Sequence, residues 1–315
     1  MKKTQPRGGV DYPQNFIEFD KWFADESACR DYLMKIRWPE AFKCIKCSYH
    51  GKTWITKRYY LKCPKCRSEI SILANTIFEG TRKPLRIWFL TIWFVTSQKN
   101  GASALGLQRV LGLGSYQTAW AWLHKLRHAM VRKDRDRLNG SVEVDETYIG
   151  GVETGVSGRE THKKVLVGIA AEIRGKAMGR IRLQIMEDAS IKSCESFVQN
   201  SINVGSLVQT DGWTGYANLG NLGFKHKILN LSKSKKAAHE LLPKVHRIAS
   251  LLKRVLLGTH QGGVQPQHLA YYLDEFTFRF NRRTSKSRGL LFYRLLEQAV
   301  NTGPHPYKEV VGGTN

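Results

Sequence analysis

Apolar residues recur at helical spacing through the first 130 positions and at strand spacing through much of the chain beyond them. Over residues 17–35, IEFDKWFADESACRDYLMK, the side chains of Phe19, Phe23, Cys29, Tyr32 and Leu33 fall on one side of a helix. Cys29 packs there as a small hydrophobe. Residues 84–98, PLRIWFLTIWFVTSQ, predict a buried helix opened by Pro84. Ser103 and Ser115 each stand just ahead of a further helical pattern, as N-caps do, with Gly112 and Gly114 between them. This reads as helix, turn, helix, the second helix carrying Gln117, Trp120, Lys125, Arg127 and Arg132.

From Ser141 the texture changes. SVEVDETYIG, KKVLVGIAAEI, GRIRLQIME and SLVQT read as strands, with a helix, IKSCESFVQNSI, between the third and fourth. FKHKILN predicts a fifth strand, and helices come next at about 240–256, 266–281 and 289–300. Three strands, a crossover helix and another strand predict a mixed α/β sheet with helices against it. The tail, GPHPYKEVVGGTN, is polar and glycine-rich and reads as loose.

The 315 residues suffice for one good core plus one or two small modules. Lys and Arg outnumber Asp and Glu by 50 to 26, a formal charge of +24, which argues for a polyanionic partner such as nucleic acid. No stretch approaches an apolar membrane span, and the basic N-terminus has no apolar core behind it, so neither a membrane protein nor a signal peptide is expected. The expected location is cytoplasmic.

Residues 42–80 are turn-rich and too short to bury a core of their own. Their staple is Cys44-x2-Cys47-x15-Cys63-x2-Cys66, the spacing of a tetrahedral four-thiolate zinc site. Each two-residue gap lets a tight turn aim both sulfurs at one ion. Between residues 46 and 67 there are seven Lys or Arg and no Asp or Glu, interleaved with Tyr49, Trp54, Tyr59 and Tyr60. A structural zinc ribbon that touches DNA fits this composition.

In VEVDETYIG, Val142 and Val144 face one side and Glu143 and Asp145 the other. In LVQTDGW, Asp211 ends a later strand. If those strands are neighbours, both carboxylates project from one part of the sheet. Two such groups repel each other, and a divalent cation removes the conflict. In LLPKVHRIASLLKRVLLGTHQG, residues 241–262, Pro243 opens a helix and His246, Ser250 and Lys253 lie one and two turns apart on one face. His246 there reaches the metals, and Lys253 meets phosphate. A surface histidine on a basic helix, and an aspartate that merely ends a strand, are the plain alternatives.

Taken together, the two CxxC pairs, VEVDETYIGG at 142–151, VQTDGWTGY at 208–216, LLKRVLLGTHQG at 251–262 and HLAYYLDEFTFRFNRR at 268–283 resemble bacterial insertion-sequence transposases of the DDE type with an N-terminal zinc ribbon. The marks run in order over roughly residues 20–300. The resemblance implies an RNase H-like catalytic core, preceded by the zinc ribbon and a helix-turn-helix-like segment. It divides the chain into an N-terminal helical segment (1–40), the ribbon (41–80), helical DNA-binding residues (81–138), the catalytic domain (139–300) and a flexible tail (301–315).

By position, Asp145 and Asp211 take the first two catalytic places of that family and Lys253 matches its lysine. His246 stands where many relatives have glutamate, a DDH variant; Glu275 and then Glu240 are the next candidates for that place. The implied activity is metal-dependent cleavage at transposon ends and strand transfer of the 3′ hydroxyls, with Mg2+ or Mn2+ at Asp145, Asp211 and His246. The implied partners are double-stranded DNA, both terminal inverted repeats and target, and a second copy of the chain, at the bacterial nucleoid. A DNA-binding regulator without catalysis and an RNase H-like nuclease that cuts without joining are the rival functions.

Overall fold

The computed structural model describes residues 5–132, 134–151, 164–229 and 238–312. Lys163 and Asn230, at the ends of two expected strands, and the last three residues of the tail lie outside them. The chain divides into two compact units, residues 1–132 with 284–312 and residues 133–283 with 313–315.

The first unit begins with α1 (Phe16–Trp22) and α2 (Glu26–Arg37). The apolar spacing predicts one helix here; Asp25 breaks it in two by capping α2, its side chain accepting from Ala28 N–H at 2.8 Å. The ribbon comes next as two small antiparallel sheets, β1 (Phe42–Lys43) with β2 (His50–Gly51), and β3 (Trp54–Ile55), β4 (Tyr60–Lys62) and β5 (Glu69–Ser71). Beyond it lie α3 (Leu85–Ser97), α4 (Ala104–Leu111) and α5 (Tyr116–Ala129). Ser103 and Ser115 cap α4 and α5 as their positions predict, accepting from Gly106 and Thr118 N–H.

The second unit carries a five-stranded sheet: β6 (Ser141–Ile149), β7 (Val165–Arg174), β8 (Ala177–Met186), β9 (Leu207–Thr210) and β10 (Lys225–Ile228), in the order β10-β9-β6-β7-β8. β6, β7 and β8 form an antiparallel meander, and β9 and β10 run parallel to β6 on its other side. This mixed order, with helices on both faces, is the RNase H-like arrangement. On one face α6 (Ile191–Ser201) packs Phe197 and Val198 against Val142, Val144, Ala170 and Val208. A side chain at Gly168 would run into Phe197 and Met186, within 2.9 Å, so glycine lets α6 close on β7.

After the short α7 (Ala238–Leu241), α8 (Pro243–His260) and α9 (Leu269–Asn281) cover the other face. Val245, Ile248, Leu252, Leu273 and Phe276 pack there on Val167, Ile169, Ile181 and Leu183. β7 is thus apolar on both sides, as a central strand between two helical layers must be.

The last helices, α10 (Arg288–Asn301) and α11 (Tyr307–Gly312), belong to the first unit. Phe292 of α10 enters an aromatic cluster with Phe19, Phe23, Phe89 and Trp93. The polar tail is not loose throughout, because α11 buries Val310.

Candidate metal centres and their surroundings

The four cysteines converge in the ribbon, their sulfurs all within 4.8 Å of one another. Ser48 N–H donates to Cys44 O at 3.0 Å, and Arg67 N–H to Cys63 O at 2.9 Å, closing two equivalent knuckles. Ser48 and Arg67 both take left-handed backbone, φ 56° and 60°, which turns each loop back under its sulfurs. Cys44 Sγ lies 3.7 Å from Cys66 Sγ, and Cys47 Sγ 3.6 Å from Cys63 Sγ. Sulfurs about 2.3 Å from a tetrahedral zinc stand about 3.8 Å apart, so the set fits structural Zn2+. Hydrogen bonds from Ser68 hold the Cys66 thiol down to about 6. Cys47, although the Tyr49 N–H pulls it down, is pushed up to about 12 by desolvation and its cysteine neighbours. Four adjacent thiols cannot all ionise without a cation among them, which is what zinc supplies.

The second candidate centre is built on β6. Val142 and Val144 enter the core under α6, and Glu143 and Asp145 face α8, as alternation predicts. The parallel pairing of β6 with β9 runs Ser141↔Leu207, Val142↔Val208, Glu143↔Gln209. The pairing stops at Glu143↔Gln209; carried two steps further, that register would set Asp145 opposite Asp211, which follows directly on the end of β9. Residues paired in parallel strands share a face, so a register continued that far would give both aspartates one face of the sheet.

α8 brings His246 to Asp145, its Nε2 3.7 Å from Asp145 Oδ2. Adjacent donors on an octahedral ion stand about 3 Å apart, so the two groups would have to close by about 0.7 Å to share one. Asp211 is held differently: its Oδ1 accepts from Trp213 N–H at 3.0 Å. Among the described residues, only the four cysteines place three or more donor atoms all within 4.8 Å of one another, so Asp145, Asp211 and His246 do not form so tight a set. Ligands divided between two ions, about 3.5–4 Å apart, need not.

His246 opens on a groove of about 790 Å3 lined also by Thr147, Ser250, Lys253, Arg254 and Leu257. Lys253 and Arg254 are exposed in it. The other acids weighed for the third place sit elsewhere. Glu275 is buried on α9 and paired with Arg279 at 2.9 Å, and Glu240 is exposed on α7.

Two glutamates flanking Asp145 are engaged in ways that residue type and spacing do not disclose. Glu143 is 3% exposed, and its Oε2 accepts from Lys244 N–H at 2.6 Å and Val245 N–H at 3.1 Å in the first turn of α8. Burial pushes its carboxyl above the ordinary range, against the pull of those two N–H groups and Lys244. On the opposite face Glu146 accepts from Tyr216 Oη at 2.8 Å. Tyr216 is fully buried in the turn after Asp211, and Trp213 of the same turn donates its ring N–H to Ala189 O at 2.9 Å. These two aromatics therefore anchor the segment that carries Asp211.

Because Tyr216→Phe removes a buried hydrogen bond to a carboxylate, it should cost about 1–2 kcal/mol of unfolding free energy. Denaturant titration measures this, and Tyr216→Phe with Glu146→Leu should recover part of the loss.

A family model described as the ISXO2-like transposase domain matches residues 137–281, and one described as the transposase zinc-ribbon domain matches residues 24–69. An uncharacterised protein in transposable element ISH50 of Halobacterium salinarum is 29% identical over 145 residues, 44% of this chain. The match spans 46% of that relative, about half its length. Among solved structures, the Mos1 strand transfer complex aligns over 75% of this chain and 81% of its own, at 12% identity and a TM-score of 0.28. A pre-cleavage Mos1 transpososome aligns over 75% of this chain and 82% of its own, at 11% identity and a TM-score of 0.27. No helix among the described residues is long and apolar enough to cross a membrane.

Proposed function

We propose that this chain, which belongs to the insertion-sequence transposases that carry an N-terminal zinc ribbon, cleaves DNA at the ends of its element and joins the freed 3′ hydroxyls to target DNA. The observation that supports the reading is His246, whose Nε2 stands 3.7 Å from Asp145 Oδ2 beside a basic groove, with Asp211 following directly on β9, the parallel neighbour of β6.

Asp145, Asp211 and His246 would hold divalent cations, Mg2+ or Mn2+. Such ions supply a water of lowered pKa and stabilise a departing 3′ oxygen. Asp145 and His246 offer donors to a common ion, and Asp211 offers a carboxylate from the neighbouring strand. Lys253 and Arg254 hold phosphate along the groove, where their charge neutralises the backbone without reading bases. In the joining step the 3′ hydroxyl is itself the nucleophile, so no side chain forms a bond to DNA.

Recognition of the terminal repeats falls to α4, α5 and the ribbon, whose Trp54, Tyr59 and Tyr60 are exposed among lysines and arginines. Bringing two element ends to one target calls for at least two copies of the chain on the DNA.

The test supplies the protein with duplexes of its element's ends, a target plasmid and Mg2+ or Mn2+. Joined product is expected. Cut ends without joining would make the chain a nuclease, and end binding without cutting would leave a regulator.

An imidazole in place of a carboxylate removes a negative charge and softens the ligand set, which favours Mn2+ over Mg2+. His246→Glu should therefore raise the Mg2+-supported rate relative to the Mn2+-supported one. Equal Mg2+ use by the two proteins would remove His246 from the ligand set.

A further inference from the structure

We infer that Glu143 is a positioning residue, which holds the first turn of α8 onto β6 and so sets where His246 stands against Asp145, a role that rests on the proposed metal site. α8 lacks a cap of its own. Leu242, at the N-cap, offers no side-chain acceptor, and Pro243 has no N–H to satisfy. The next two donors, Lys244 N–H and Val245 N–H, both go to Glu143 Oε2, a carboxylate 101 and 102 residues earlier in the chain. An anion there also meets the positive end of the helix dipole.

The geometry gives this cap a reach that an ordinary serine or aspartate cap lacks. A local cap fixes a helix only to its own preceding residue. Glu143 fixes α8 to a strand, two residues from Asp145 on the same face and one residue from His246 on the helix side. Apolar packing of Val245, Ile248 and Leu252 sets which face of α8 turns to the sheet, but apolar contact is non-directional and fixes the helix's axial position less sharply. Two hydrogen bonds at 2.6 and 3.1 Å to a single oxygen do fix it. Loss of a group that orients a ligand in this way costs about 10–100-fold in metal affinity.

The test uses the full chain and Mn2+ alone. Binding is read from the electron paramagnetic resonance signal of free Mn2+, and amide exchange is measured at Lys244, Val245 and His246. Glu143→Asp, one methylene too short, and Glu143→Ala should weaken Mn2+ binding about 10–100-fold and speed exchange at those amides. Glu143→Gln keeps an acceptor at the same reach and should stay close to wild type on both readouts. Glu172→Ala is the control for stability. Glu172 is as deeply buried on β7 but paired with Arg180, and its loss should lower the melting temperature while leaving Mn2+ affinity in place.

Wild-type affinity in Glu143→Asp, or an equal loss in Glu172→Ala, overturns the positioning role alone. Wild-type protein that shows no Mn2+ binding dependent on Asp145 overturns the proposed function and this inference with it.

Discussion

Asp211→Asn is expected to lower end cleavage and strand transfer by at least about 10³-fold, the several kcal/mol a catalytic ion contributes at about 1.36 kcal/mol per decade. Asp145→Asn should do the same. Asparagine is the informative replacement because it keeps the local hydrogen bonds. Its carbonyl oxygen can still accept from Trp213 N–H at position 211, and from Glu146 N–H at position 145, where the bonds are 3.0 and 2.9 Å. Only charge and ligand strength are removed.

In metal-free protein Asp211→Asn should leave the melting temperature close to wild type, since asparagine keeps the bond to Trp213 N–H, whereas Asp145→Asn also weakens the contact with His246. Mn2+ at 100 times its Kd should stabilise the wild type by about 2.7 kcal/mol. Neither variant should show that shift. A variant that retains wild-type cleavage, or that still gains stability from Mn2+, would remove its aspartate from the centre.

How much of this could be read from the residues differs along the chain for physical reasons. The sheet was legible because β6, β7 and β9 alternate or run apolar in ways that only a two-faced sheet satisfies. The parallel neighbours β6 and β9 then carry Asp145 and lead directly into Asp211, as the strand pattern allows. The ribbon was legible because the spacing of metal-binding thiols is set by covalent geometry.

The role of Glu143 was not, because its partners are backbone N–H groups a hundred residues away and every residue presents the same group. Nor was the place of α10. Its apolar face predicts burial, but Phe292 would suit any aromatic core, and which core it joins depends on the path of the chain. The same limit applies to the turn at Asp25: helical spacing continues across it, and only the cap bond at Ala28 N–H shows that the helix restarts there.

Zinc removal should have an effect of comparable size, confined to a different part of the molecule. The ribbon's strands are two or three residues long and contribute few buried apolar side chains, chiefly Phe42, Leu61, Ile70 and Ile72. So small a core cannot offset the entropy of ordering some thirty residues at about 1–2 kcal/mol each. Zinc binding to thiolate sites of this kind contributes about 10–16 kcal/mol near neutral pH, which is enough to decide whether the segment folds. Chelation, or Cys63→Ser, is therefore expected to abolish amide protection across residues 42–71 while β6, β7 and β8 keep theirs.

Metal analysis of the untreated protein should give one zinc per chain, and acidification should release it, since protons compete for each thiolate. Binding to element ends should fall with the ribbon, whereas Mn2+ binding at Asp145 should persist. The two centres share no residue, so each can be lost alone. A chain that kept protection over residues 42–71 after complete loss of zinc would show that the ribbon is held by its packing and that the four cysteines are not its staple.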